Sequence, residues 1–367
     1  MITLNLKNAT TAIVLVLSLS CASVSATSSQ TSFLNHLEPL QNVQYVVTPD
    51  QDHQSLIDAF NSAKKSIHVG IFGISSQQIA DGLIAAKNRG VTVNIICDSY
   101  CTSNPKRSAI IAQLNAAKIK VVTASDGFTI SHWKMFVIDE KRAFISTMNF
   151  ITRSSEMRDM GVFVTNPTIV AEILAVFNSD LNNAANHGNF TPELTQPNLV
   201  WSPINSEAKL SALIDSAKTS IEIWIENMGQ PTIQKALQAA VGRNVKVRLL
   251  TSQCGMSKPP AAAFANLKQL MDLGVEVRGM PFPATVDVPY IHAKTINVDH
   301  QTLFLGSENF SSNSINQARE LGIIFENAQI QAQMSELYEK DWKVSTLFPA
   351  VPLATCSPLA EIDIPLN

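Results

Sequence analysis

Between Leu56 and Ser146 the apolar residues switch repeatedly between a helical and an extended period. Leu56 to Ala63 predicts a helix, and Ile67 to Phe72, with apolar residues at alternate positions, predicts a strand. A second helix is expected over Gln78 to Lys87, with Gly90 as its C-terminal stop. Val91 to Cys97 reads as a strand, Ser108 to Ala117 as a helix and Ile119 to Val122 as another strand. Met135 to Ile138 and Ala143 to Ser146 form a strand pair around the turn Asp139-Glu140-Lys141. Such alternation predicts an α/β fold with a mostly parallel or mixed sheet covered by helices.

The pattern then recurs. Ser62-Ala63-Lys64-Lys65-Ser66-Ile67 matches Ser216-Ala217-Lys218-Thr219-Ser220-Ile221, and Ala85–Val93 matches Ala239–Val247, both at an offset of 154 residues. His132 and His292, Lys134 and Lys294, and Asp139 and Asp299 recur at 160. Loop insertions account for the drift. Two copies at this period indicate a duplicated domain and not a solenoid. The expected organisation is a first domain over 40–185, a linker over 186–203 rich in Asn, Pro and Thr, a second domain over 204–345 and a proline-containing tail over 346–367.

Composition narrows the class. The 367 residues are 46% hydrophobic and 16% charged, against about 25% charged in an ordinary soluble domain. Disorder and coiled coil are excluded, and the chain is long enough to bury its own core. A formal net charge of −3 argues against a protein that coats nucleic acid, although a local basic groove is compatible with it. Residues 1–26 read as a secretory signal peptide: Lys7, a short apolar run from Ala12 to Leu19, and small residues at Val24-Ser25-Ala26. The run is shorter than the roughly 20 residues of a membrane span. Lipoprotein processing before Cys21 is disfavoured by Ser18 three positions ahead. Export to a periplasm or the medium leaves Cys97, Cys101, Cys254 and Cys356, which allow three disulfide pairings. Cys97 with Cys101 closes a local loop, and Cys254 with Cys356 then ties down the tail. A zinc site is disfavoured because only one close pair exists.

The chemistry sits in two matching stretches. His132-Trp133-Lys134 is followed by Asp139 and Ser146-Thr147-Met148-Asn149, and His292-Ala293-Lys294 by Asp299 and Gly306-Ser307-Glu308-Asn309. His, Lys, Asp and Asn fall at the same intervals of two, five and ten residues in both. Residues two apart on a strand share a face, so each His and Lys projects into one cleft. Trp133, between them, is expected to pack on the opposite face.

This is the HxKxxxxD signature written twice, and on it the chain resembles the phospholipase D superfamily over roughly residues 40–345, in the manner of a secreted bacterial phospholipase D-like protein. The resemblance implies a duplicated fold of two mixed β-sheets flanked by helices, with one active site between the lobes. It implies that one His attacks phosphorus to give a phosphohistidine while the other protonates the leaving oxygen and then activates water. Family precedent favours His132 as the nucleophile and His292 as the general acid and base, with the reverse assignment as the alternative. It implies no cofactor and no metal, since Lys134 and Lys294 offset the phosphodiester charge, with Asn149 and Asn309 as neutral donors. An acidic residue downstream of each motif orients an imidazole. Arg158-Asp159-Met160-Gly161 and Arg319-Glu320-Leu321-Gly322 align and offer Asp159 and Glu320. Asp139 and Asp299 are expected to be structural, and Thr147 and Ser307 to contact phosphate oxygens or simply to build the turn. The first copy departs from the family in carrying Ser146 where the second keeps Gly306, and the added Cβ is expected to narrow the backbone approach to phosphate.

These motifs act on phosphodiesters in general. Export, the absence of a membrane span and a mildly acidic balance favour a phospholipase D that hydrolyses glycerophospholipid head groups at a membrane surface. A nuclease acting on a polyanion would ordinarily carry a basic surplus, whereas Lys64-Lys65, Lys106-Arg107 and Lys141-Arg142 are short pairs. An exported endonuclease or nucleic-acid phosphodiesterase and a phosphatidyltransferase of the cardiolipin synthase kind remain the alternatives. A binding module without turnover is disfavoured because both copies keep His and Lys. The duplication supplies both half-sites, so a monomer suffices.

Overall fold

The computed structural model describes residues 32–348 apart from 39, 52, 104, 153–155 and 255–259. The expected signal peptide, Cys21, Cys356 and the tail beyond Phe348 lie outside the described residues.

The first half runs β1 (Gln44–Thr48), α1 (Gln54–Ser62), β2 (Ser66–Ile71), α2 (Gln77–Asn88), β3 (Thr92–Cys97), α3 (Pro105–Ala116), β4 (Lys120–Thr123), β5 (Lys134–Ile138), β6 (Arg142–Ser146), β7 (Met157–Val164) and α4 (Pro167–Asn186). The second runs β8 (Leu199–Ser202), α5 (Ser206–Ser216), β9 (Ser220–Trp224), α6 (Pro231–Gly242), β10 (Lys246–Ser252), α7 (Pro260–Asp272), β11 (Glu276–Met280), β12 (Tyr290–Ile291), β13 (Thr295–Val298), β14 (Thr302–Gly306), α8 (Ser312–Asn316), β15 (Glu320–Glu326), α9 (Ala328–Val344) and β16 (Thr346–Leu347).

The two sheets repeat strand for strand. The first is ordered β1-β7-β6-β5-β2-β3-β4, and the second β8-β15-β14-β13-β9-β10-β11-β16. In each, three strands are parallel (β2, β3, β4; β9, β10, β11) and the rest of the ordered path is antiparallel, while β12 of the second half adds to β7 in parallel. The sheets are therefore mixed, and the duplication inferred from the sequence is a duplication of topology. Leu199–Ser202, inside the expected linker, is strand β8 and pairs with β15. A short Asn- and Pro-rich approach hides a four-residue strand, because its pairing partner lies far along the chain.

Three apolar clusters account for the layering. One lies under α1 to α3 on the outer face of the first sheet and includes Phe60, Ile67, Ile95 and Phe136. A second lies under α5 to α7 on the second sheet and includes Leu213, Ile223, Leu249 and Phe304. The third joins the inner faces of both sheets through Trp133, Trp201, Trp224, Phe177 and Tyr338. Trp133 thus packs away from the catalytic strand face. Gly70 on neighbouring β2 makes the room, since a Cβ there would come within 2.6 Å of the indole. Each fully buried aromatic or aliphatic side chain contributes roughly 1.5–3 kcal/mol, so the halves are joined by a core and not by a hinge.

Helices α4 and α9 belong to that central layer. Each begins with an asparagine cap. Asn166 Oδ1 accepts from Ile169 N at 3.2 Å, and Asn327 Oδ1 accepts from Ile330 N at 3.0 Å. Each buries an apolar face, through Ile169, Ile173 and Phe177 in one and Ile330, Met334 and Tyr338 in the other. Each carries a buried aspartate near its far end, Asp180 and Asp341.

Candidate active site

The two motifs are held by an exchange between the halves. The segment before His132 pairs with the strand leading to β15: Ser131 bridges Arg319, and Arg319 O accepts from His132 N at 2.8 Å. The segment before His292, strand β12, pairs with β7 of the other half, and Arg158 O accepts from His292 N at 3.1 Å. Each histidine therefore enters the site beside the acidic residue of the opposite half. His132 Nδ1 lies 2.8 Å from Glu320 Oε2, and His292 Nδ1 lies 2.7 Å from Asp159 Oδ1. These carboxylates fix the tautomer with the proton on Nδ1 and leave Nε2 for chemistry. Ser314 donates to Glu320, and Thr147 donates to Asp159.

The sequence-predicted residues converge as follows. Lys134 and Lys294 are buried beside their histidines, and each Nζ donates to the carbonyl oxygen two residues back. The charge of Lys294 acts on both His132 and Lys134 across the lobe boundary. Asn149 and Asn309 follow the next strands, each with a buried carbonyl oxygen lacking a hydrogen-bond partner. Thr147 and Ser307 are fully buried, with hydroxyls engaged in the framework: Thr147 Oγ1 accepts from Met160 N at 2.9 Å and Ser307 Oγ from Leu321 N at 3.1 Å. Their contacts run to the strands that carry Asp159 and Glu320.

Asp139 and Asp299 stand at the opposite ends of β5 and β13 from the lysines. Each occupies a tight hairpin turn with φ near 50°. Asp139 accepts from the backbone of Lys64, Lys65 and Ser66, and Asp299 from Lys218, Thr219 and Ser220. Burial pushes both carboxyls up, but these N–H groups outweigh it and hold them below the usual range.

Four features were not singled out from the sequence. The first is Glu226, just past β9. Its Oε2 lies 2.8 Å from Lys294 Nζ, 3.3 Å from Asn309 Nδ2 and 3.7 Å from His292 Nε2, and its Oε1 accepts from the Tyr290 hydroxyl at 3.1 Å. Burial raises its pKa, but Lys294 and then His292 bring it down to about 2. The second is Phe72, which the repeat aligns with Glu226. Its ring meets the edge of His132 at 4.8 Å and stacks on Tyr100 at 4.8 Å. Cys97 and Cys101 stand on either side of that tyrosine in the chain and are a disulfide-capable pair, with Cα atoms 6.1 Å apart. The third is a pair of buried struts across the lobes: Arg158 on Asp341 at 2.7 Å and Arg319 on Asp180 at 2.9 Å. The fourth is Glu308, fully buried, with no side-chain partner on its carboxyl group and only the backbone N–H groups of Ser307 and Glu308 acting on it. Burial first, then the charge of Glu320, pushes its pKa well above the ordinary carboxylate range. A Cβ at Gly306 or Gly322 would press on its carboxyl group. The first copy carries Met148 at this position and accommodates Ser146, whose hydroxyl bonds Lys134 O at 3.1 Å. The Gly-to-Ser departure therefore goes with the loss of the buried acid.

The electrostatics of the two half-sites differ. Burial lowers the pKa of His132, against the raising effect of Glu320. Burial also brings Lys134 down to about 7, and its Nζ lies 5.3 Å from the Phe72 ring centre. Lys294 is instead paired with a carboxylate. An incoming phosphodiester anion favours the charged form of Lys134 and competes with Glu226 for Lys294.

Two imidazoles with opposed carboxylates and two lysines brought together across the lobes, with Asn309 on Glu226, are a constellation that can carry phosphoryl transfer through histidine. Among the described residues no cluster of His, Cys, Asp and Glu could hold a metal ion, and no helix is long and apolar enough to cross a membrane.

The chain belongs to the phospholipase D superfamily. The family model described as "Cardiolipin synthase, PLD-like domain" matches residues 56–181 and 210–342. Phospholipase D Z of Dictyostelium discoideum is 32% identical over 116 residues, a match covering 31% of this chain and 26% of that protein. The 5'-3' exonuclease PLD3 of Xenopus laevis is 24% identical over 372 residues, covering 79% of this chain and 74% of that protein. The structure of phosphatidylserine synthase from Haemophilus influenzae Rd KW20 superposes with a TM-score of 0.69 at 14% identity, covering 88% of this chain and 92% of the other, a likeness of fold.

Proposed function

We propose that the protein is a phospholipase D that hydrolyses glycerophospholipid head groups through a phosphohistidine on His132. His132 Nε2 attacks phosphorus, the bond to the head-group oxygen breaks, and the proton on His292 Nε2 goes to that oxygen. Water then attacks phosphorus, His292 Nε2 takes its proton, and the phosphorus–nitrogen bond breaks to release phosphatidic acid. Lys134 and Lys294 offset the charge on the equatorial oxygens. What favours a lipid is the surroundings of the two histidines: the buried Phe72 ring packs on His132 and the Glu226 carboxylate stands near His292, in a chain of net charge −3. A groove for a polyanion would be lined by cations. The same reading has the enzyme exported after cleavage near Ala26, acting as a monomer at a membrane surface. The disulfide-capable pair Cys97 and Cys101 fits an oxidising compartment.

A nucleic-acid phosphodiesterase is the second reading, favoured by the long match to a 5'-3' exonuclease. A paired assay with EDTA present separates the two. One arm follows choline release from phosphatidylcholine vesicles and the other cleavage of single-stranded DNA, with His292→Ala as the blank. Choline release without DNA cleavage is expected; DNA cleavage without choline release would replace the lipid reading. Added ethanol reports transfer, as phosphatidylethanol.

A further inference from the structure

We infer that Glu226 is a positioning residue that divides the labour between the two histidines, holding His292 in the role of proton donor while its counterpart Phe72 leaves His132 to attack. The inference rests on the phosphodiesterase reading and deepens it.

The two half-sites share a topology, and among the positions at which they differ, one lies beside each histidine ring: Glu226 near His292 and Phe72 at His132. The groups facing His292 are Asp159 at Nδ1 from β7, Glu226 near Nε2 from the end of β9, and Lys294 from its own motif. Two carboxylates thus bracket the ring, one at each nitrogen, an arrangement that accommodates an imidazolium. At 3.7 Å the Glu226 oxygen is beyond hydrogen-bond length, so Nε2 can give its proton to a leaving oxygen between them. The groups facing His132 are Glu320 at Nδ1, Lys134 from its own motif and Lys294 across the boundary, with the Phe72 ring at its edge and the Glu226 charge acting without a hydrogen bond to the ring. One hydrogen-bonded carboxylate, two cations and an apolar neighbour suit a neutral imidazole, the form with a lone pair for phosphorus. Burial lowers the His132 pKa in the same direction.

Glu226 is built into place. Tyr290, two residues before His292, donates to its second oxygen at 3.1 Å, and Asn309 donates to the first at 3.3 Å. Its bond to Lys294 keeps that ammonium from competing for the His292 side of the site. A substrate phosphoryl group draws on Lys294 and Asn309, while the negative charge of Glu226 remains near Nε2 until proton transfer.

The test uses Glu226→Gln, with Glu226→Phe, which copies the first half-site, as a second variant. Rates are compared on a phosphodiester with an alkyl leaving group (choline) and one with p-nitrophenolate, which needs little protonation to depart. The expected result is a loss of about 10²-fold or more on the choline ester, the scale of general acid catalysis, and less than tenfold on the nitrophenyl ester. In ring-labelled protein, NMR is expected to show His292 losing its second proton at lower pH in Glu226→Gln, with His132 little changed. Equal losses on both esters, or histidine titrations unchanged by the substitution, would overturn the inference. Should the wild type release neither leaving group, the phosphodiesterase reading fails while the NMR titration still decides the role of Glu226.

Discussion

His132 Nδ1 and Glu320 Oε2 lie 2.8 Å apart although 188 residues separate them in the chain, and His292 with Asp159 mirrors the pairing at 2.7 Å. Each half supplies the carboxylate on the other's imidazole, so on the proposed mechanism neither half contains a finished site. Glu320→Gln and Asp159→Asn are each expected to lower kcat by about 10²-fold or more. Coupling follows the crossed pairs: Glu320→Gln adds little on top of His132→Ala, and Asp159→Asn little on top of His292→Ala, as for groups acting as one unit. Steady-state kinetics of the single and double variants check this. Strict additivity within a crossed pair would contradict it.

The struts Arg158–Asp341 and Arg319–Asp180 hold the strands that deliver Asp159 and Glu320. Arg158 also donates to Thr48 O at 2.8 Å and to Asp50. Arg158→Met leaves Asp341 buried with its guanidinium partner gone, and a loss of about 3–5 kcal/mol is expected in chemical denaturation. Arg158→Met with Asp341→Leu is expected to be the more stable of the two variants, because the stranded charge is removed.

Glu308 predicts an unusual pH dependence. Its folded pKa is raised by burial first and Glu320 second, while the unfolded chain releases that proton near pH 4.3. Above that pH the folded state holds a proton the unfolded state has lost, so this group subtracts stability as pH rises. Glu308→Gln removes the effect. The difference in Tm between variant and wild type is expected to move in the variant's favour from pH 4 to pH 8; a constant difference would show that Glu308 ionises in the fold.

Much of this was legible in the chain. Alternating periods marked the helices and strands of the first half, and the repeated intervals of His132 and His292 pointed to the residues that the structure brings together across the lobes. The segments around Asp159 and Glu320 could be aligned, but not assigned to opposite rings. That exchange depends on Ser131 pairing with Arg319 and Tyr290 with Met157, contacts between lobes that leave no local pattern. Strand β8 was obscured for the same reason. Glu226 was missed because searching for a repeat rewards what is the same, and its counterpart is Phe72. The hydroxyls of Thr147 and Ser307 meet buried strand partners and not an open cleft, a distinction that residue type alone does not carry.

The most direct measurement is to quench wild-type enzyme during turnover of a radiolabelled phosphodiester and map the adduct by peptide mass spectrometry under conditions that preserve phosphoramidates. A phosphoryl group on His132 is expected, absent in His132→Ala and longer-lived in His292→Ala with a nitrophenyl leaving group, where release by water lacks its base. An adduct on His292, or turnover without any adduct in the presence of both histidines, would contradict the account.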